Sequence, residues 1–143
     1  MGSSSGLKRG KLGEKLAVKL LQKKGFKILE KNFRSKLGEI DIVALDPSTS
    51  SGRGGDVLVF VEVKARWTKE YGPPEEAVTP RKIRSIIKTG QYYSLLHPEL
   101  PKALRVDVVS IDFTQAHPPE TAKVKLIKNV TEMHQLKKGF LIE

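Results

Sequence analysis

A single α/β domain is predicted by three observations: an amphipathic helix early in the chain, short apolar runs on both sides of a second helix, and charges set inside two of those runs. At 143 residues the chain is long enough to bury roughly two-thirds of its unfolded surface without cross-links. It has no cysteine, which excludes thiolate zinc sites, thiol nucleophiles and disulfide frameworks together. No run of about 18 apolar residues is present, so a soluble, cytoplasmic protein with no membrane span is expected. Lys and Arg number 26 against 16 Asp and Glu, a formal charge of +10. That favours polyanionic partners such as nucleic acid, or else a Lys-rich, well-solvated surface.

The Gly/Ser stretch 1–6 is expected as a flexible tail, with residues 7–143 as one domain. Leu12, Leu16, Ala17, Leu20 and Leu21 recur at helical spacing and predict a helix over 10–24, with Gly25 as its C-terminal cap. Glu14 stands at the margin of that stripe, where a glutamate ordinarily complements the helix dipole. A short strand over 26–33 is followed by one from Gly38 to Leu45, and the Pro/Ser/Gly-rich stretch 46–55 reads as a mobile connection. Val57–Lys64 is the next strand, and 65–78 a turn-rich loop whose Trp67 and Tyr71 are expected to cover a core edge. Thr79 as N-cap and Pro80 at the first helical position predict a helix to about Leu96, stopped by His97-Pro98. Ile83, Ile86, Ile87 and Gly90 mark its buried stripe, while Arg81, Lys82, Arg84 and Lys88 fall outside it. Strands over 103–113 and 124–130 close the order, and 131–143 carries no clear pattern.

The charged strands are the unusual feature. Strand side chains alternate between faces, so Glu39 and Asp41 are expected on one face of Gly38–Ala44, and Phe60, Glu62 and Lys64 on one face of Val57–Lys64. Burying ionised groups among Ile, Val and Phe costs several kcal/mol apiece unless each is paired or bound to a metal. A metal-assisted active site accounts for the placement; a structural Lys–carboxylate cluster is the alternative.

Gly-Glu-Ile-Asp in one strand and Val-Glu-Val-Lys in the next, in the order αβββαββ, resemble the PD-(D/E)xK nuclease superfamily, and in particular the YraN family, which is related to archaeal Holliday-junction resolvases. The resemblance runs from Gly10-Lys11-Leu12-Gly13-Glu14 through Phe60–Arg66 and Ala77–Lys82 to Leu104–Val109. It implies a restriction-endonuclease-like fold, a central mixed β-sheet flanked by helices. It also implies that Asp41 and Glu62 match the metal-binding acids, Lys64 the catalytic lysine and Glu14 the first-helix glutamate. Ile40, not Pro, precedes Asp41, a departure from the usual motif.

Phosphodiester hydrolysis needs a water made nucleophilic near neutral pH and stabilisation of charge on the phosphate, and a hard divalent cation supplies both. Mg²⁺ or Mn²⁺ is therefore the expected cofactor, held by Asp41 and Glu62, with the Val63 carbonyl as a third oxygen and Glu39 as an alternative ligand. Lys64, two residues from Glu62, would orient or deprotonate the attacking water. The expected partner is DNA, gripped through its phosphates by Arg81, Lys82, Arg84 and Lys88, and a homodimer presenting two clefts would suit a branched substrate. His97, His117 and His134 lack ligand spacing and are assigned no chemistry. Two other readings stand beside this endonuclease: a non-catalytic nucleic-acid-binding module with the same fold, and a basic scaffold for another protein.

Overall fold

The computed structural model describes residues 2–47, 56–70 and 72–131. Most of the 46–55 connection, Tyr71, His134 and the stretch 132–143 lie outside the described residues. The elements follow the predicted order: α1 (Gly2–Lys23), β1 (Lys27–Ser35), β2 (Gly38–Asp46), β3 (Val57–Arg66), a 3-10 turn at Pro74–Ala77, α2 (Pro80–Leu96), β4 (Leu104–Asp112), a second 3-10 turn at Pro119–Thr121, and β5 (Lys123–Ile127). The five strands form one sheet in the order β1-β2-β3-β4-β5. β3 and β4 are parallel and the other neighbours antiparallel, because α2 spans the crossover that a parallel pair requires. No helix among the described residues is long and apolar enough to cross a membrane.

One face of the sheet is covered by α1, whose Ala17 and Leu21 pack on Ile42, Ala44, Val59, Val61, Val109 and Ile111. The other is covered by α2, whose Ile83, Ile86 and Tyr93 pack on Val43, Leu58, Phe60, Val106 and Val108. Each fully buried Val, Leu, Ile or Phe among these contributes about 1.5–3 kcal/mol. The helix phase is as the sequence predicts: Thr79 caps α2 by accepting the Lys82 N–H at 3.1 Å, Arg81, Arg84 and Lys88 are exposed, and Lys82 is half-buried. Gly90 is buried against Phe60, and a Cβ there would lie 2.5 Å from the Phe60 ring. Only glycine lets α2 settle this low on the sheet.

β1 and β3 each run two residues past expectation, to Ser35 and Arg66, and three further boundaries differ for structural reasons. The α1 backbone is helical from Gly2 rather than Gly10, so the Gly/Ser stretch expected as a flexible tail continues the helix, each further residue adding one bond once the turn is nucleated. Gly25 ends α1 as expected, with φ 92°. β2 runs through Asp46, which the sequence places in the following loop; it is fully buried and bonds Arg105 at 2.7 Å. β5 stops at Ile127, short of Val130, because Asn129 takes a left-handed φ of 56° and donates its N–H to Asp107 at 2.9 Å.

Candidate metal and phosphate site

Asp41 stands where β2 parts from β3. The β2–β3 ladder ends at Ile42↔Val61, and beyond it the Val63 N–H donates to Asp41 Oδ2 at 2.8 Å. A side chain thus replaces a strand neighbour as acceptor. The faces also swap here: Ile42 packs under α1 but Ile40 packs under α2, and Asp41 opens into a cleft on the α1 side. Regular alternation, which would put Asp41 on the α2 face with Val43, fails at the point where Asn32, facing it across the β1 ladder, adopts φ 57°. Asparagine is among the few residues that visit this region readily.

Glu62 shares the parity of Phe60 and is 4% exposed. It meets Asp41 in the fork, where the two carboxyls share a hydrogen bond. Burial, then the Asp41 charge, pushes the Glu62 carboxyl up to about 7. Burial likewise raises Asp41, the Val63 N–H opposing it. Lys64 Nζ lies 3.8 Å from Glu62 Oε2, and the Lys82 charge acts on both acids from the start of α2. Asp41, Glu62 and Lys64 are thus brought together, with Lys82 beside them rather than merely on the outer face of α2. Glu39 is exposed, does not line the cleft, and reaches Asp41 only as a neighbouring charge.

The cleft encloses about 510 Å³ between α1 and the fork, and Glu14, Asn32, Asp41 and Val63 are among its walls. Glu14 Oε2 accepts from Asn32 Nδ2 at 2.8 Å, so the first-helix glutamate faces the cleft of Asp41. Asn32 is the residue sequence reasoning missed: it both turns the strand and holds Glu14, yet an asparagine between Lys31 and Phe33 carries no motif. Arg9, Lys11 and Arg34 line the same cleft and went unnoticed because they come from separate elements. Trp67 stacks on Phe113 with centroids 3.8 Å apart and 6° between planes, covering a core edge as expected, while its rim reaches the cleft. Of the histidines, His97 lies 3.5 Å from Glu99 and neither it nor His117 lines the cleft.

Two carboxyls close enough to share a proton, one of them raised by the other's charge, form a donor set that a divalent cation fits: it would replace the proton and relieve the repulsion. Among the described residues no three His, Asp or Glu side chains form a metal-binding group. Mg²⁺ ordinarily needs only one or two carboxylates, the rest of its shell being water and substrate oxygens.

Sheet, helices and fork together define an α/β protein with a mixed five-stranded sheet, consistent with a restriction-endonuclease-like fold. The model of the Uncharacterised protein family UPF0102 matches residues 13–111, a span that includes Glu14, Asp41, Glu62, Lys64 and Lys82. The chain belongs to this family, the YraN family. It is 45% identical over 103 residues to the UPF0102 protein of Persephonella marina, covering 72% of this chain and 82% of that one. It is 39% identical over 127 residues to that of Syntrophus aciditrophicus (89% and 91% covered), and 42% identical over 124 residues to that of Geobacter metallireducens (87% and 92%).

Proposed function

We propose that this protein is a metal-dependent endonuclease that hydrolyses DNA phosphodiester bonds, with branched DNA as the substrate to test first. The observation that carries the reading is the meeting of Asp41 and Glu62 at the fork of β2 and β3, with Lys64 3.8 Å from Glu62. Asp41 and Glu62 are the residues that would hold Mg²⁺ or Mn²⁺, and the Val63 carbonyl would offer a further oxygen. When bound, such a cation polarises the phosphodiester and makes water nucleophilic near neutral pH. Lys64 orients the attacking water and offsets the carboxylate charge. Glu14, steadied by Asn32, accepts a hydrogen bond from water entering the cleft. Arg81, Lys82, Arg84 and Lys88 bind phosphates from the α2 side, and a homodimer would bring two forks to one junction.

The test is incubation of supercoiled, linear and four-way-junction DNA with Mg²⁺ or Mn²⁺. Wild-type protein should cut, while Asp41→Ala and Glu62→Ala should lose cleavage and keep or raise DNA affinity, since each removes a charge that repels phosphate. Cleavage surviving both changes overturns the assignment. A second reading, a nucleic-acid-binding module without cleavage, is favoured by the small donor set, with no three acids or histidines grouped among the described residues. Binding without cutting by the wild type would select it.

A further inference from the structure

The cleft holds a set of cations that the proposed function leaves without a role. Arg9, Lys11 and Arg34 come from α1 and β1, are all exposed, and line the cleft that Asp41 and Glu14 enter. Among the described residues none of the three is in an ion pair. Three uncompensated cations thus ring two acids, the pattern that suits an anion lying above a bound cation. Arg9 is further constrained: its Cζ sits 4.5 Å from the Trp67 ring centroid, and the opposite face of that ring is fixed on Phe113. A guanidinium held over an indole that is itself stacked on Phe113 has already given up part of the side-chain freedom that gripping a phosphate would cost.

We infer that Arg9, Lys11 and Arg34 form a phosphate-binding rim along which one strand of a nucleic acid crosses the α1 side of the sheet over Asp41, with Arg9 set in place by Trp67. This rests on the nucleic-acid reading above and moves the main backbone contact away from the exposed face of α2. The rim neutralises phosphates flanking the one that reaches the fork. Its contacts are to backbone, so they carry no sequence preference.

Anisotropy titrations of labelled duplex and single-stranded DNA in EDTA, across a salt series, separate binding from cleavage. The triple variant Arg9→Ala, Lys11→Ala, Arg34→Ala should raise Kd about tenfold or more at low salt and reduce the slope of log affinity against log salt by roughly 0.9 for each phosphate it no longer neutralises. Lys15→Ala, Lys19→Ala, Lys23→Ala removes the same charge from exposed positions of α1 outside the cleft and should have a much smaller effect. Trp67→Leu should reproduce much of the weakening seen in Arg9→Ala alone, and Trp67→Phe, which keeps an aromatic face, should recover part of it. Thermal melts of each variant separate impaired binding from impaired folding, and Arg9→Ala, on an exposed residue, tests the rim even where Trp67→Leu fails to fold. Equal weakening in the two triple variants, or wild-type affinity in the first, overturns the rim and leaves the nuclease reading intact. Absence of binding by the wild type to either DNA at low salt overturns both.

Discussion

Asp46 and Asp107 at one end of the sheet, and Asp41 and Glu62 further along, are both carboxylate pairs taken into the fold, but only the first has its counter-charges built in. Arg105 donates to Asp107 through Nε and Nη2, both at 2.8 Å, and to Asp46 through Nη2 at 2.7 Å. Lys128 Nζ adds a contact to Asp46 at 3.3 Å, and the Asn129 N–H closes on Asp107. Two acids thus meet two bases. At the fork, by contrast, the one ion pair among the described residues is Lys64 with Glu62 at 3.8 Å, and the two carboxyls are hydrogen-bonded to each other. The protein shows that it can neutralise buried acids from its own sequence, so the pair it leaves under-compensated is the one suited to a cation from solution. That difference, more than acidity alone, is what sets the fork apart from the closed cluster.

The comparison predicts its largest effect at the closed cluster. Arg105→Ala removes the guanidinium that Asp46 and Asp107, both fully buried, share, and should cost about 3–5 kcal/mol in urea unfolding at neutral pH. An unchanged midpoint would break the contrast. The fork should respond in the opposite sense and through pH. With the Glu62 carboxyl near 7 in the folded chain, above its ordinary 4.5, the folded protein holds a proton that the unfolded chain has released. Its stabilising effect is complete below about 4.5 and fades as pH rises to about 7, a loss on the order of 2–3 kcal/mol. Glu62→Gln should flatten that slope in unfolding measured from pH 4.5 to 8, and millimolar Mg²⁺ should flatten it in the wild type. A steep slope retained by Glu62→Gln would place the titration elsewhere.

The smallest effect belongs to Asp112, the last residue of β4, whose carboxyl accepts from Arg66 at 2.9 Å and from Thr114. These bonds, Arg66's first, hold its pKa well below the usual carboxylate range. The stabilisation is therefore present above the ordinary Asp pKa and lost as pH falls toward the depressed value. Asp112→Asn should lower the stability at neutral pH slightly and make acid unfolding less steep, an effect well below that of Arg105→Ala because the pair is partly solvated.

Much of this arrangement is legible in the sequence because it depends on periodicity and caps. Ile83, Ile86 and Gly90 phase α2, Thr79-Pro80 starts it, and the charges within Val57–Lys64 point to the fork before any coordinates. What is not legible depends on a local departure from periodicity. Strict alternation groups Asp41 with Glu39, whereas in the fold Asn32 opposite is left-handed and the Asp41 carboxylate turns to accept the Val63 N–H. The Arg105 cluster is hidden for another reason: Asp46, Asp107 and Lys128 are far apart in sequence, and pairing among distant strands has no period. The same holds for the rim of Arg9, Lys11 and Arg34, drawn from two elements that only the folded chain brings side by side.

The seat of α2 on Phe60 reaches beyond packing. Phe60 lies two residues before Glu62 on the same side of β3, and Gly90 lies eight residues, or about 12 Å of helix at 1.5 Å per residue, from Lys82. A methyl at position 90 would need roughly 1 Å of clearance to reach ordinary contact with the ring. It would act as a shim beneath a stiff beam, raising the helix from the sheet and altering the standoff between the Lys82 ammonium and the two acids. The absence of a side chain at Gly90 therefore sets how closely α2, which carries Lys82, approaches the strand that carries Glu62.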